Sequence, residues 1–134
     1  MHRLIVAAVL AAALTAAGAE EPRDLEATFL ASAQREEPGF TGFAASRGRE
    51  FFARTHGGDW SCASCHTHNP AAIGRHAVTG KAIQPLSPLA NPERFTKPAR
   101  VEKWFTRNCR DVLKRACTAR EKGDVLAYLM SVER

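Results

Sequence analysis

The chain is short of methionine, with two in 134 residues. Met1 starts it, and Met130 near the C-terminus is the only other thioether. Any chemistry needing a methionine sulfur elsewhere is thereby excluded. Strand signals are scarce too, because no run alternates β-branched and polar residues. No dense Lys/Arg run occurs, which argues against nucleic-acid binding. Nor is there an apolar run of the roughly 20 residues that a membrane-spanning helix needs. The longest, residues 4–14, follows His2 and Arg3 and leads to the small-residue pattern Ala17-Gly18-Ala19. That arrangement reads as a secretory signal peptide over residues 1–19, hence as export to the periplasm. The alternative is an uncleaved anchor, which the length of the run disfavours.

What remains after cleavage is 115 residues with 18 Lys and Arg against 14 Asp and Glu. That is one small domain with a modest core. Its slight positive excess suits docking to an acidic protein, or is an ordinary solvated surface.

Helical signals occur in four places. Residues 24–36 carry Leu25, Phe29 and Leu30 at helical spacing and stop before Pro38-Gly39. Residues 46–55 are built on Phe51 and Phe52 and close at Gly57-Gly58. Residues 99–116 follow Pro98, which suits a first turn. Residues 119–132 follow Thr118, which forms a capping box with Glu121, and carry the stripe Val125, Tyr128, Leu129, Val132. The predicted class is all-α. Between the second and third helices lie about forty irregular residues, 57–97. A loop that long in a compact domain is usually functional or wrapped around something.

The sequence "CASCH", residues 62–66, supplies the object. C-x-x-C-H is the attachment pattern of c-type haem. Its two thiols, Cys62 and Cys65, sit about one helical turn apart and add to the two vinyl groups on one porphyrin edge. His66 then becomes the proximal iron ligand. The motif occurs once, so one haem is expected. Two other readings compete. Half a zinc site needs two further ligands, for which His68 and His76 are available. A thioredoxin-like redox pair needs a βαβ surround, which is lacking.

With these residues in place, "SRGREFFARTHGGDWSCASCH" and "EKGDVLAYLM" together resemble a class I cytochrome c. The resemblance covers residues 42–132 and implies a helical fold wrapped around the haem. Gly48 and Phe52 on one helix would pack against Val125 and Tyr128 on the last. Residues 20–41 fall outside it as an N-terminal extension helix before a cytochrome c domain at 42–134.

Class I cytochromes place a methionine opposite the proximal histidine. Met130 lies about 160° round the helix from Tyr128 and points elsewhere. His56 and His76 reach the far side of the iron only by unusual paths. Asn108 is the remaining candidate. On the third helix Val101, Trp104, Phe105, Asn108 and Val112 fall on one stripe, and a buried carboxamide needs a partner. The segment "KPARVEKWFTRNCRDVLKRACTAREKGD" resembles the high-spin, oxygen-binding cytochromes c of the sphaeroides haem protein type. That resemblance implies Asn108 as a weak sixth ligand that leaves on reduction, so that O₂ or NO binds. It also implies a Cys109–Cys117 disulfide and reduction by a partner cytochrome, a dihaem cytochrome c. Turnover of O₂ or NO is then an open question. Trp104 and Phe105 would line the haem pocket. The alternatives are a plain electron carrier with another sixth ligand, and an Asn108 that only hydrogen-bonds backbone or a haem propionate.

Cys109 and Cys117 carry their own constraint. Eight residues of unbroken helix span about 12 Å, whereas a disulfide needs Cα atoms within about 7 Å. Either the helix breaks within residues 110–116, or the thiols are free. Export favours the bridge. Arg75, Arg94, Arg100 and Trp60 are candidate partners for the haem propionates.

Overall fold

The computed structural model describes residues 21–133; the signal-peptide expectation lies outside them. Five helices and one small hairpin follow in chain order. They are α1 (Pro22–Glu36), α2 (Ala45–Ala53), α3 (Cys62–His66), β1 (Gly74–Arg75), β2 (Ala82–Ile83), α4 (Pro98–Leu113) and α5 (Ala119–Ser131). The all-α expectation holds. The two strands pair antiparallel, Gly74 with Ile83 and Arg75 with Ala82. They are too short for any alternation to show in sequence. Among the described residues no helix is long and apolar enough to cross a membrane.

Helix α5 is the centre of the fold, packed against α2 on one side and α1 on another. Its stripe Val125, Tyr128 and Leu129 closes on Phe52 and Ala63. A second side, led by the fully buried Leu126, closes on Leu25, Phe29 and Val101. The single stripe expected from sequence is therefore half of what α5 buries. Met130 is not turned away from the protein but rests against this second cluster.

The α2–α5 crossing is close. A Cβ on Gly48 would strike the backbone carbonyl of Asp124 and come within 2.9 Å of Tyr128 Cβ, so only glycine fits. The same crossing is pinned electrostatically. Asp124 is 5% exposed, and its carboxylate accepts from the Ala44 amide and from Arg47 Nε and Nη2, each at 2.8 Å. Ala44 begins α2 without a capping side chain, and α5 supplies the missing oxygen. At the other face the Glu36 carboxylate accepts from the Ala119 amide at 3.2 Å, tying the end of α1 to the start of α5.

Helix α4 ends three residues earlier than expected. Lys114 takes a left-handed conformation (φ 61°) and donates its amide to the Arg110 carbonyl. The chain turns back, and Cys117 bonds to Cys109 with Cα atoms 5.6 Å apart. Thr118 then caps α5 as the sequence predicts. Its hydroxyl accepts from the Glu121 amide at 3.2 Å, and its own amide donates to Glu121 Oε2 at 2.8 Å.

Candidate haem site

Helix α3 is one and a half turns long and would not persist alone. It is held at its start by a reciprocal cap. The Ser64 amide donates to Ser61 Oγ at 3.2 Å, and the Ser61 amide donates to Ser64 Oγ at 2.9 Å. This cap was not anticipated, although serines three apart around "SCAS" carry its signature. On its far side β1 presses close. A Cβ on Gly74 would strike the Cys65 carbonyl and approach His66 Cα to 3.0 Å. The Ala77 amide donates to Cys65 Sγ at 3.3 Å. The long loop thus folds back onto the motif it follows.

Cys62 and Cys65 are free of each other and of any disulfide. Burial, with the neighbouring Cys65 adding to it, pushes the Cys62 thiol up to about 11, so it stays protonated. The His66 imidazole is pushed down to about 4 by burial first and then by the positive charge of Arg94. It is therefore neutral at ordinary pH, with a ring lone pair to offer a metal. Its ring lies 6.2 Å from that of Phe52, which is itself 5.6 Å from Tyr128. The α2–α5 crossing therefore backs the histidine.

Arg94 is half-buried, and loop carbonyls fix it. Nε donates to the Pro85 carbonyl and Nη2 to that of Gln84, both at 2.7 Å. Burial and the nearby Arg100 lower its pKa. The Arg94 guanidinium near His66, with Arg100 near Arg94, gives this side a positive potential suited to carboxylates. Of the other candidates for that task, Arg75 is turned to the Gly80 carbonyl of the hairpin, and Trp60 is 39% exposed.

On α4 the expected stripe divides. Val101 and Val112 are buried. Phe105 is half-buried, edge-on to Phe29 at 5.9 Å. It also packs on the cluster that Cys62 joins, so α3 and α4 share one core. Trp104 is 45% exposed, with the Arg107 guanidinium 5.7 Å above its ring. Asn108 is half-buried, and no hydrogen bond recorded among the described residues uses its carboxamide. The competing histidines each engage one ring nitrogen in a local turn. His56 Nε2 donates to the Phe51 carbonyl at 2.8 Å, and His76 Nδ1 accepts from the amides of Val78 and Thr79.

The residues fit a covalently held haem. Two unpaired thiols one turn apart precede a neutral histidine, and the Arg94 guanidinium lies near it. Among the described residues five large apolar side chains are more than a third exposed: Trp60, Ile73, Val78, Leu89 and Trp104. All belong to the stretch between α2 and α5, and a porphyrin would cover apolar surface of that kind. A zinc centre finds no such support, since no group of three or more His, Cys, Asp or Glu gathers among the described residues.

Residues 38–129 match a family described as a domain of unknown function, DUF1924. The chain belongs to that family. Its relatives are c-type cytochromes. Over 133 residues it is 40% identical to the cytochrome c-type protein SHP of Cereibacter sphaeroides, covering 96% of this chain and 98% of that one. Over 88 residues it is 46% identical to cytochrome c'' of Methylophilus methylotrophus, covering 63% of this chain and 61% of that protein. The structure of oxidised cytochrome c'' superposes with a TM-score of 0.77 at 38% identity, over 84% of this chain and 95% of that one. Oxidised SHP, described as an oxygen-binding cytochrome c, gives 0.74 at 42% identity, over 84% and 97%. The class I cytochrome resemblance seen in sequence is thus correct, and covalent haem c is the cofactor implied.

Proposed function

We propose that this chain is an exported monohaem cytochrome c that binds a diatomic gas, O₂ or NO, when reduced. Cys62 and Cys65 would hold the haem, with His66 as its proximal ligand and Asn108 as a weak sixth ligand. When bound, the haem would supply a redox-active iron able to take a small gas.

Each side chain has a task that follows from its chemistry. His66 is kept neutral by burial, so it needs no deprotonation before ligation. Arg94 would neutralise a propionate. The Asn108 carboxamide is a neutral oxygen donor that would be held more by ferric than by ferrous charge, and its N–H₂ could donate a hydrogen bond to a polar gas. Phe105 and Trp104 flank it on α4 and wall the pocket. A partner cytochrome, a dihaem cytochrome c, would deliver the electron.

The observation that carries this reading is Asn108 itself, half-buried, its carboxamide in no hydrogen bond among the described residues. The commitment of His56 and His76 to local turns supports it, as does the description of SHP as oxygen-binding. The test is the absorption spectrum of the haem-loaded protein. A high-spin ferric spectrum, with CO binding after dithionite, is expected. A low-spin spectrum without CO binding overturns the reading.

A further inference from the structure

The outer face of α4 carries a line of cations. Arg100, Lys103, Arg107, Arg110 and, at the cap just past the helix end, Lys114 follow one another at i, i+3, i+7, i+10 and i+14, and all five are exposed. At 3.6 residues per turn this spacing puts them within about a quarter of the helix circumference, along roughly 20 Å. The buried residues of α4, Val101, Cys109 and Val112, lie on the other side. One carboxylate, Asp111, borders the line. No ion pair among the described residues uses any of the five; Arg23, Arg35, Arg49, Arg54, Lys81 and Lys97 share that state, and what sets the five apart is their single row. Lys114 is held only by the Asp111 carbonyl, at 2.8 Å.

Unpaired cations in a row repel one another, and pairing them within the chain would be simple. Left without carboxylate partners, with Arg107 resting over Trp104, they create a fixed positive field, which steers an oppositely charged partner and fixes its register. We infer that this face of α4 is the docking surface for the acidic surface of a redox partner protein. The inference rests on the reading of the chain as a redox cytochrome. It adds which surface is used and what chemistry the partner presents there. Charge complementarity selects carboxylates. A lipid surface is the poorer occupant, since the line has no apolar row to insert. The same helix bears Asn108, so the partner docks on the outer face of the element that carries the proposed sixth ligand.

The test uses the haem-loaded protein and flavodoxin, a soluble acidic redox protein, as the probe. Affinity is measured at about 20 mM and about 300 mM salt, which shortens the screening length from about 20 to about 6 Å. The wild type is expected to bind at least about tenfold more weakly at the higher salt. The triple variant Lys103→Glu, Arg107→Glu, Arg110→Glu is expected to lose about tenfold or more at low salt and its salt dependence with it. The same positions changed to Gln give a smaller loss in the same direction and stand in if the Glu triple misfolds. The control Arg23→Glu, Arg35→Glu, Lys81→Glu makes the same change in net charge elsewhere and is expected to bind far better than the α4 triple. Carbodiimide cross-links should map to Lys103 or Lys114.

Equal losses in the two triples would show that only net charge matters and overturn the inference. So would cross-links confined to other lysines. Vesicles of phosphatidylglycerol form the second arm. Sedimentation that depends on the α4 cations, without flavodoxin binding, assigns the face to lipid and overturns the protein docking. The function reading fails separately. A protein that binds flavodoxin through α4 but not CO keeps the surface and loses the gas site, and the converse loses the surface alone.

Discussion

Breaking the Cys109–Cys117 disulfide should lower stability by about 2.5 kcal/mol. The bridge closes a loop with a sequence separation of eight, and the chain-entropy relation gives that figure for such a loop at 25 °C. Nothing nearby replaces it. Between the two cysteines α4 ends, Lys114 holds an unfavourable left-handed conformation, and Arg115 secures only the far side through Glu121. For a domain of this size about 2.5 kcal/mol is a fall of roughly 10 °C in Tm. The assay is thermal unfolding of the haem-loaded protein, followed by circular dichroism, with and without dithiothreitol. The reductant opens the disulfide and leaves thioethers intact, so the haem stays attached. A Cys109→Ser, Cys117→Ser variant should match the reduced protein. Because Asn108 adjoins Cys109, the ferric spectrum should shift in the same samples. A Tm within about 2 °C of the oxidised protein would refute the loop argument.

Gly48→Ala should destabilise by about 2–3 kcal/mol despite gaining about 1 kcal/mol of helix propensity, because its methyl has nowhere to go at the α2–α5 crossing; an unchanged Tm contradicts this. Asp124→Ala should cost about 2–3 kcal/mol in denaturant unfolding. It removes three hydrogen bonds, but Arg47 is partly exposed and regains water. Burial would raise the Glu121 pKa, yet bonds from Arg115 and Thr118 outweigh it and hold the carboxyl below its ordinary value. Its contribution is therefore present at neutral pH and lost as pH falls through that depressed value. Glu121→Gln should accordingly be less stable at pH 7 and show a shallower loss in acid, as unfolding at a series of pH values will record.

Much of the fold follows from local signals. Helical periods locate α1, α2, α4 and α5, and the Thr118–Glu121 box places the start of α5 at the right residue. A bridge between two cysteines eight apart requires α4 to break, with free thiols as the alternative, and it breaks at Lys114. What could not be read from the sequence depends on contacts distant along the chain. The second buried side of α5 exists because α1 returns to cover it, and Asp124 caps a helix 80 residues away. The need for glycine at position 74 arises only when the loop folds back onto Cys65. The basic line on α4 was missed because its members are three and four residues apart, so no run forms until the helix aligns them. At the site, Cys62, Cys65 and His66 are legible because haem attachment demands them consecutively. Asn108 was reached by elimination and resemblance, and the structure adds that the rival histidines already have partners.

The central claim is tested most directly by the ferric and dithionite-reduced absorption spectra of wild-type and Asn108→Ala protein, each with and without CO. Wild type should be high-spin when ferric and bind CO when reduced. The variant should have an altered ferric spectrum and still bind CO. A wild-type spectrum that is low-spin in both states, unresponsive to CO and unchanged by Asn108→Ala, would contradict the account.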